Sequence, residues 1–176
     1  MEAINHCTTG IELLKTLPDT PERTQQELTL QIALGVSLMF TRGFAAPEVA
    51  TAYTRARELC QQGGETPQFF PALWGLWTFY LVRAESQMVR EVGEQLLSLA
   101  QSVQDPRLLL QAHHVLGVSL SMLGEFAPAR EHLEQGIALY DPQQRRSYGF
   151  VYDPEVVLPL SIGPCPPGAW LSRSGP

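Results

Sequence analysis

The stretch LLLQAHHVLGVSLSMLGEFAPAREHLEQGIALY, residues 108–140, sets the fold class of this chain. Ala112, His113, Leu116, Gly117 and Leu120 recur at three- and four-residue intervals, which gathers them on one face of a helix. Ala129, Leu133, Gly136, Ile137 and Tyr140 repeat the pattern further on. Between the two runs, Gly124-Glu125-Phe126 reads as the turn of a helical hairpin. Small residues at Gly117, Ala129 and Gly136 let the two backbones approach closely. Leu116, Leu120, Phe126 and Leu133 are expected to fill the space around them. Asp141-Pro142 closes the second helix, because proline disfavours helical geometry in the residue before it.

Outward from this hairpin the same signal returns twice. Pairs of a large residue and a glycine stand at Leu34-Gly35, Trp74-Gly75 and Leu116-Gly117, with the glycines 40 and then 42 residues apart. A fixed period of about 20–50 residues marks a repeat architecture. Thr29 to Arg42 reads as the first helix of another unit, Gly43-Phe44 as its turn, and Pro47 to Gln61 as its second helix. Val49, Tyr53 and Ala56 supply the packing face. Pro47 is tolerated near the helix start, where its missing N–H would lack an intrahelical partner. Gln68 to Arg83 and Glu85 to Val103 form the next pair, with Leu73, Trp74, Trp77 and Tyr80 facing Met88, Val92, Leu96 and Leu99.

At the amino end, Ala3, Cys7 and Gly10 have the spacing of a repeat's second helix, running to Leu14 with no first helix ahead of it. From Gln143 onward the helical period disappears. Pro154, Pro159, Pro164, Pro166 and Pro167 forbid a continuing helix there. The expected organisation is a helical repeat domain over 1–142 followed by an irregular or disordered Pro/Gly-rich tail over 143–176.

His113, Leu116, Gly117, Leu120, Gly124, Phe126, Ala129, Leu133 and Gly136 fall on the spacing of the tetratricopeptide (TPR) consensus, which the hairpin resembles. His113 stands where that consensus has Trp, Gly136 where it has Ala, and the closing Pro142 comes one place late. The strings GIELLKTLPDTPER (10–23) and LEQGIALYDPQQ (133–144) are similar to the MalT-like TPR region of large bacterial signalling proteins. Those proteins join such an array to a nucleotide cyclase or an AAA-type ATPase. The resemblance implies a protein or peptide partner, of which a cyclase or ATPase module is one candidate. It also implies a chain that is a fragment, with residues after about 150 a truncated or frame-shifted end.

Composition excludes several function classes. The net charge of −6 and the single lysine, Lys15, argue against nucleic acid, whose phosphates are held by clustered cations. The first residues, with an acid and no basic or long apolar run, do not form a secretory signal. Arg83 and Glu85 interrupt the most apolar stretch, so no membrane span is expected. Three cysteines without a CxxC pair fit neither a disulfide framework nor a zinc site, and a reducing cytoplasm is the expected compartment.

No catalytic, cofactor or metal residue is assigned. Gly63-Gly64 lacks the Gly-Lys-Ser/Thr of a phosphate loop. His113 and His114 point about 100° apart on a helix, and His132 and His6 have no His or Cys one turn away. The acid pairs Glu91/Glu94 and Glu131/Glu134 read as solvated faces. The aromatic run Phe69, Phe70, Trp74, Trp77, Phe79, Tyr80 covers nearly all sides of one helix and reads as core. Phe69 and Trp77 are the candidates for partial exposure and partner binding.

The expected fold is thus all-α: a right-handed α-solenoid of about three and a half TPR-like hairpins. Its packing residues are Leu34, Gly35, Tyr53, Ala56, Trp74, Gly75, His113, Leu116, Gly117, Leu120, Gly124, Phe126, Ala129, Leu133 and Gly136. The expected role is non-catalytic binding of another protein, with self-association through uncapped ends also expected. A small-molecule-sensing repeat domain and a remnant without function are the alternatives.

Overall fold

The computed structural model of the chain describes residues 2–63 and 69–140. Every regular element among them is an α-helix: α1 (Glu2–Leu14), α2 (Pro21–Arg42), α3 (Pro47–Gly63), α4 (Phe69–Val82), α5 (Ser86–Val103), α6 (Pro106–Met122) and α7 (Phe126–Ala138). No helix among the described residues is long and apolar enough to cross a membrane. The chain divides into two compact units, Met1–Val103 with α1 to α5 and Gln104–Pro176 with α6 and α7. The tail expected over 143–176 lies outside the described residues.

Short polar signals set the helix ends. Extended Thr20 caps α2, its hydroxyl accepting from the Arg23 N–H at 3.2 Å, and Pro21 opens the first turn. The helix therefore begins eight residues before Thr29, where the apolar period suggested its start. Asp105 and Pro106 do the same for α6, with the carboxylate accepting from the Arg107 N–H at 2.8 Å. The ion pair with Arg107 and these backbone bonds hold the Asp105 carboxyl below its ordinary range.

The hairpin turns share one device. Gly43 after α2 and Gly124 after α6 have φ of 96° and 78°, in the left-handed region that suits glycine. Ala84 occupies the corresponding place between α4 and α5 with φ 55°, which a Cβ makes unfavourable.

Within the first unit, α1 and α3 each pack on α2, α3 also packs on α4, and α4 on α5. Tyr53 of α3 is the hub, only 1% exposed. A Cβ added at Gly35 of α2 would lie 2.6 Å from its ring, and one added at Gly75 of α4 would lie 2.3 Å away. The 40-residue glycine spacing thus has a physical cause: two successive first helices both make room for one aromatic ring. Leu38, Met39, Val49, Ala52, Leu76 and Phe79 complete this core, with Leu34 packed against it. The Tyr53 hydroxyl donates to the Met39 sulfur at 3.8 Å, and burial pushes its pKa up to about 12.

In the second unit α6 packs on α7. Gly117 makes room for Leu133, whose Cγ would lie 2.6 Å from an added Cβ. Leu116, Leu120, Ala129, Leu133 and Gly136 are buried. Phe126 is a correction: it is 71% exposed and fills no space in the hairpin. It is the first residue of α7, and Cβ vectors tilt toward a helix's amino end, so its ring projects past the end of the helix.

Candidate functional site

The aromatic helix does not furnish a site. Trp77 is only 5% exposed, which removes it as a partner anchor. Phe69 is half-buried against Leu28, Ala56, Leu59, Cys60 and Ala72. The cause is placement: α4 is apolar nearly all round and is covered by α3 and α5 together. Trp74 is half-buried, its carbonyl accepting from the Thr78 hydroxyl at 2.9 Å.

The site that the fold does build is polar. Since α1 and α3 flank α2, a cleft of about 820 Å³ opens between them, with α2 as its floor. Arg23, Glu27 and Gln31 lie along the floor at successive four-residue intervals, one stripe of a single helix. Ile11 and Lys15 come from the α1 side; Ala50, Thr51, Thr54, Arg55 and Glu58 form the α3 wall.

The charges of this cleft are unequally satisfied. Arg55 is fully engaged: Nε and one terminal nitrogen donate to the two carboxylate oxygens of Glu27 at 2.7 and 3.2 Å. The other terminal nitrogen donates to Glu58 at 3.3 Å. These bonds, Glu27's first, raise the Arg55 pKa further above its ordinary value. Arg23 is engaged only in part. It donates to Asp19 at 2.7 Å and reaches the Leu17 carbonyl at 3.5 Å, while its Nε is buried without a bond. Among the described residues Lys15 pairs only with the exposed Glu12, at 2.7 Å. Gln31 is 8% exposed, and its carboxamide makes no hydrogen bond among the described residues but is open to the cleft.

A second cluster lies in the α6–α7 hairpin. Local spacing leaves His132 without a neighbour, yet His113 and His132 meet across the hairpin, Nδ1 to Nδ1 at 3.0 Å. Their ring centres are 5.3 Å apart, 2.3 Å more than the nitrogens. That difference is one ring radius at each end, so the rings meet head-on, and in a hydrogen bond between them one Nδ1 donates and the other accepts. No space for an ion lies between them. Burial, then the neighbouring imidazole, lowers the His113 pKa; burial also lowers that of His132, against the raising effect of Glu131. His114 is driven down to about 4 by burial, and its Nε2 is sealed without a bond. Among the described residues no three His, Cys, Asp or Glu side chains converge on a common point. Burial pushes the Cys60 thiol up to about 11, so it stays protonated at neutral pH and is a poor nucleophile.

No protein-family model matches the chain, and no curated protein or solved structure matches it.

Proposed function

We propose that this chain is a non-catalytic protein-binding module, a right-handed α-solenoid of TPR-like hairpins that holds a partner through the cleft between α1 and α3. The observation that carries this is the polar stripe Arg23–Glu27–Gln31 on the cleft floor, with donors and acceptors left over after the internal ion pairs are made. A peptide presents alternating carbonyls and N–H groups, which such a lining satisfies, and side chains of either charge. Small molecules usually sit in enclosed, mostly apolar pockets with few polar groups, so this lining weighs against the sensor alternative. By the resemblance of residues 10–23 and 133–144, the partner is a cyclase or ATPase module in a bacterial cytoplasm.

The test is a random peptide display selection on the full chain, repeated with Thr54→Trp to fill the cleft from the α3 wall. Thr54 is exposed, so the variant should fold with an unchanged circular-dichroism melt. Selected peptides should bind the parent with micromolar affinity and the variant at least tenfold more weakly. Equal binding to both would remove the cleft from the proposal; failure of any peptide to bind the parent would remove the peptide-binding function.

A further inference from the structure

The α6–α7 hairpin holds a pair of titratable groups that the cleft does not use. His113 and His132 face each other Nδ1 to Nδ1 at 3.0 Å, and both rings are half-buried. A neutral imidazole offers one donor and one acceptor, so the neutral pair places one proton between the two nitrogens. A first added proton goes to the far nitrogen, Nε2, of the donating ring. The bond at the contact survives it and becomes charge-assisted, which strengthens it. A second added proton has only the contact left to occupy. Both Nδ1 atoms then carry a hydrogen, so N–H meets H–N between two like charges.

The pair stands beside a tight contact of the two helices. Gly117 is one turn on from His113, and Leu133 is next to His132; a Cβ added at Gly117 would lie 2.6 Å from the Leu133 Cγ. Packing this close has no slack, so rings that repel each other swing to solvent or carry α7 with them. Within this unit α7 is the helix packed on α6, and most other charges of the two are already engaged. Arg107 pairs with Asp105 and Arg130 with Glu134, Glu125 stands at the amino end of α7, and His114 is sealed by its own burial. Glu131 favours the charged form of His132, which makes that ring the first to charge. Burial and then the neighbouring charge hold His113 neutral to lower pH. Both groups are lowered from the ordinary 6.5, so the stability they contribute is present above that pH and is lost as the pH falls.

We propose that the His113–His132 contact is an acid-operated latch on this hairpin, closed while the pair is neutral or singly charged and opened when both imidazoles are charged.

Nuclear magnetic resonance of the full chain, taken from about pH 7 to about pH 4.5, reads both halves of this. The imidazole nitrogens should titrate in two separate steps, His132 before His113, with one Nδ1 still bare after the first step and neither after the second. Amide exchange in α7 around Leu133, corrected for the intrinsic effect of pH, should quicken at the second step. His132→Asn and His113→Asn put an amide opposite the remaining ring, and an amide bonds a neutral or a charged imidazole equally well. The rise in exchange should therefore be about tenfold larger in the parent than in either variant, the size of one lost hydrogen bond. His114 titrates alike in all three chains, so its share cancels. If circular dichroism shows one variant unfolded at neutral pH, the other carries the comparison; if both are unfolded, the nitrogen titration of the parent decides. Rings that titrate together in one step, or α7 exchange that rises as much in the folded Asn variants as in the parent, would overturn the latch.

Discussion

Replacing Gly75 by Ala should destabilise the first unit, although alanine is the better helix former. Two effects oppose each other. Within a helix, Gly→Ala gains about 1 kcal/mol through reduced backbone freedom in the unfolded chain. Against this, the new Cβ would sit 2.3 Å from two Tyr53 ring atoms and 2.5 Å from a third, closer than any real contact. The ring is rigid, 1% exposed, and lies against Gly35 of α2 as well, so it has little room to retreat. Overpacking of this kind costs about 1–3 kcal/mol, and here the upper part of that range applies, for a net loss of about 2 kcal/mol. In a unit of about 100 residues that corresponds to a fall in Tm of about 8–16 °C.

Urea unfolding followed by far-ultraviolet circular dichroism gives the number directly. Tyr53→Leu tests its origin: with the ring gone, Gly75→Ala should cost at least 1 kcal/mol less than in the parent, a coupling that a double-mutant cycle isolates. Gly10→Ala is the control, because there the nearest atom is a mobile Leu30 methyl at 2.9 Å, so the propensity gain of about 0.5–1 kcal/mol should survive. A parent-like or raised stability for Gly75→Ala, or strict additivity with Tyr53→Leu, would refute the shared-ring account of the repeat.

Three further outcomes follow from the same geometry. Gly117→Leu should lower stability by a few kcal/mol, since even a Cβ there would meet Leu133 Cγ at 2.6 Å and the Ala129 carbonyl at 3.1 Å; an unchanged melting temperature would deny that contact. Ala84→Gly should raise stability by about 0.5–1 kcal/mol, by relieving a Cβ at φ 55°, which a thermal melt resolves. Lowering the pH should destabilise the fold between about 6.5 and 4. His114 is protonated over that window in the unfolded chain and not in the folded one, so stability contributed by this group is present above 6.5 and lost as the pH falls. His114→Leu should flatten this slope in urea titrations, and an unaltered slope would reject the assignment.

Much of the helical order was legible because its signals are local. Caps and turns announce themselves at Pro47, Gly43 and Gly124, and the glycine period is visible without coordinates. The first turns of α2 are hidden for a local reason too. Residues 20–27 are polar and carry no apolar period, so the period alone puts the start at Thr29. The cap Thr20 followed by Pro21 was the available signal. The hidden features are those set by pairing between helices. Tyr53 serving both Gly35 and Gly75 needs the register of three helices, and the His113–His132 contact needs that of two, 19 residues apart in sequence.

The same distinction explains why the candidate site escaped sequence reasoning while the aromatic run attracted it. Phe69 to Tyr80 is conspicuous in sequence because it is contiguous, and contiguity on one helix is what makes a helix central and covered. A cleft has the opposite signature. Its residues come singly from α1, α2 and α3, and each is unremarkable alone: one lysine, two arginines that both carry acidic partners, a glutamine inside a polar helix. What sets Arg23 and Gln31 apart is their incomplete bonding, which depends on where Asp19, Leu17, Glu27 and Arg55 come to rest. Arg55 shows this best, since only the approach of Glu27 from α2 turns a surface guanidinium into a fixed wall. On the binding role proposed for the cleft, function is tied to which polar groups the helix register leaves unpaired, and substitutions at Gln31 and Arg23 are where binding separates from packing.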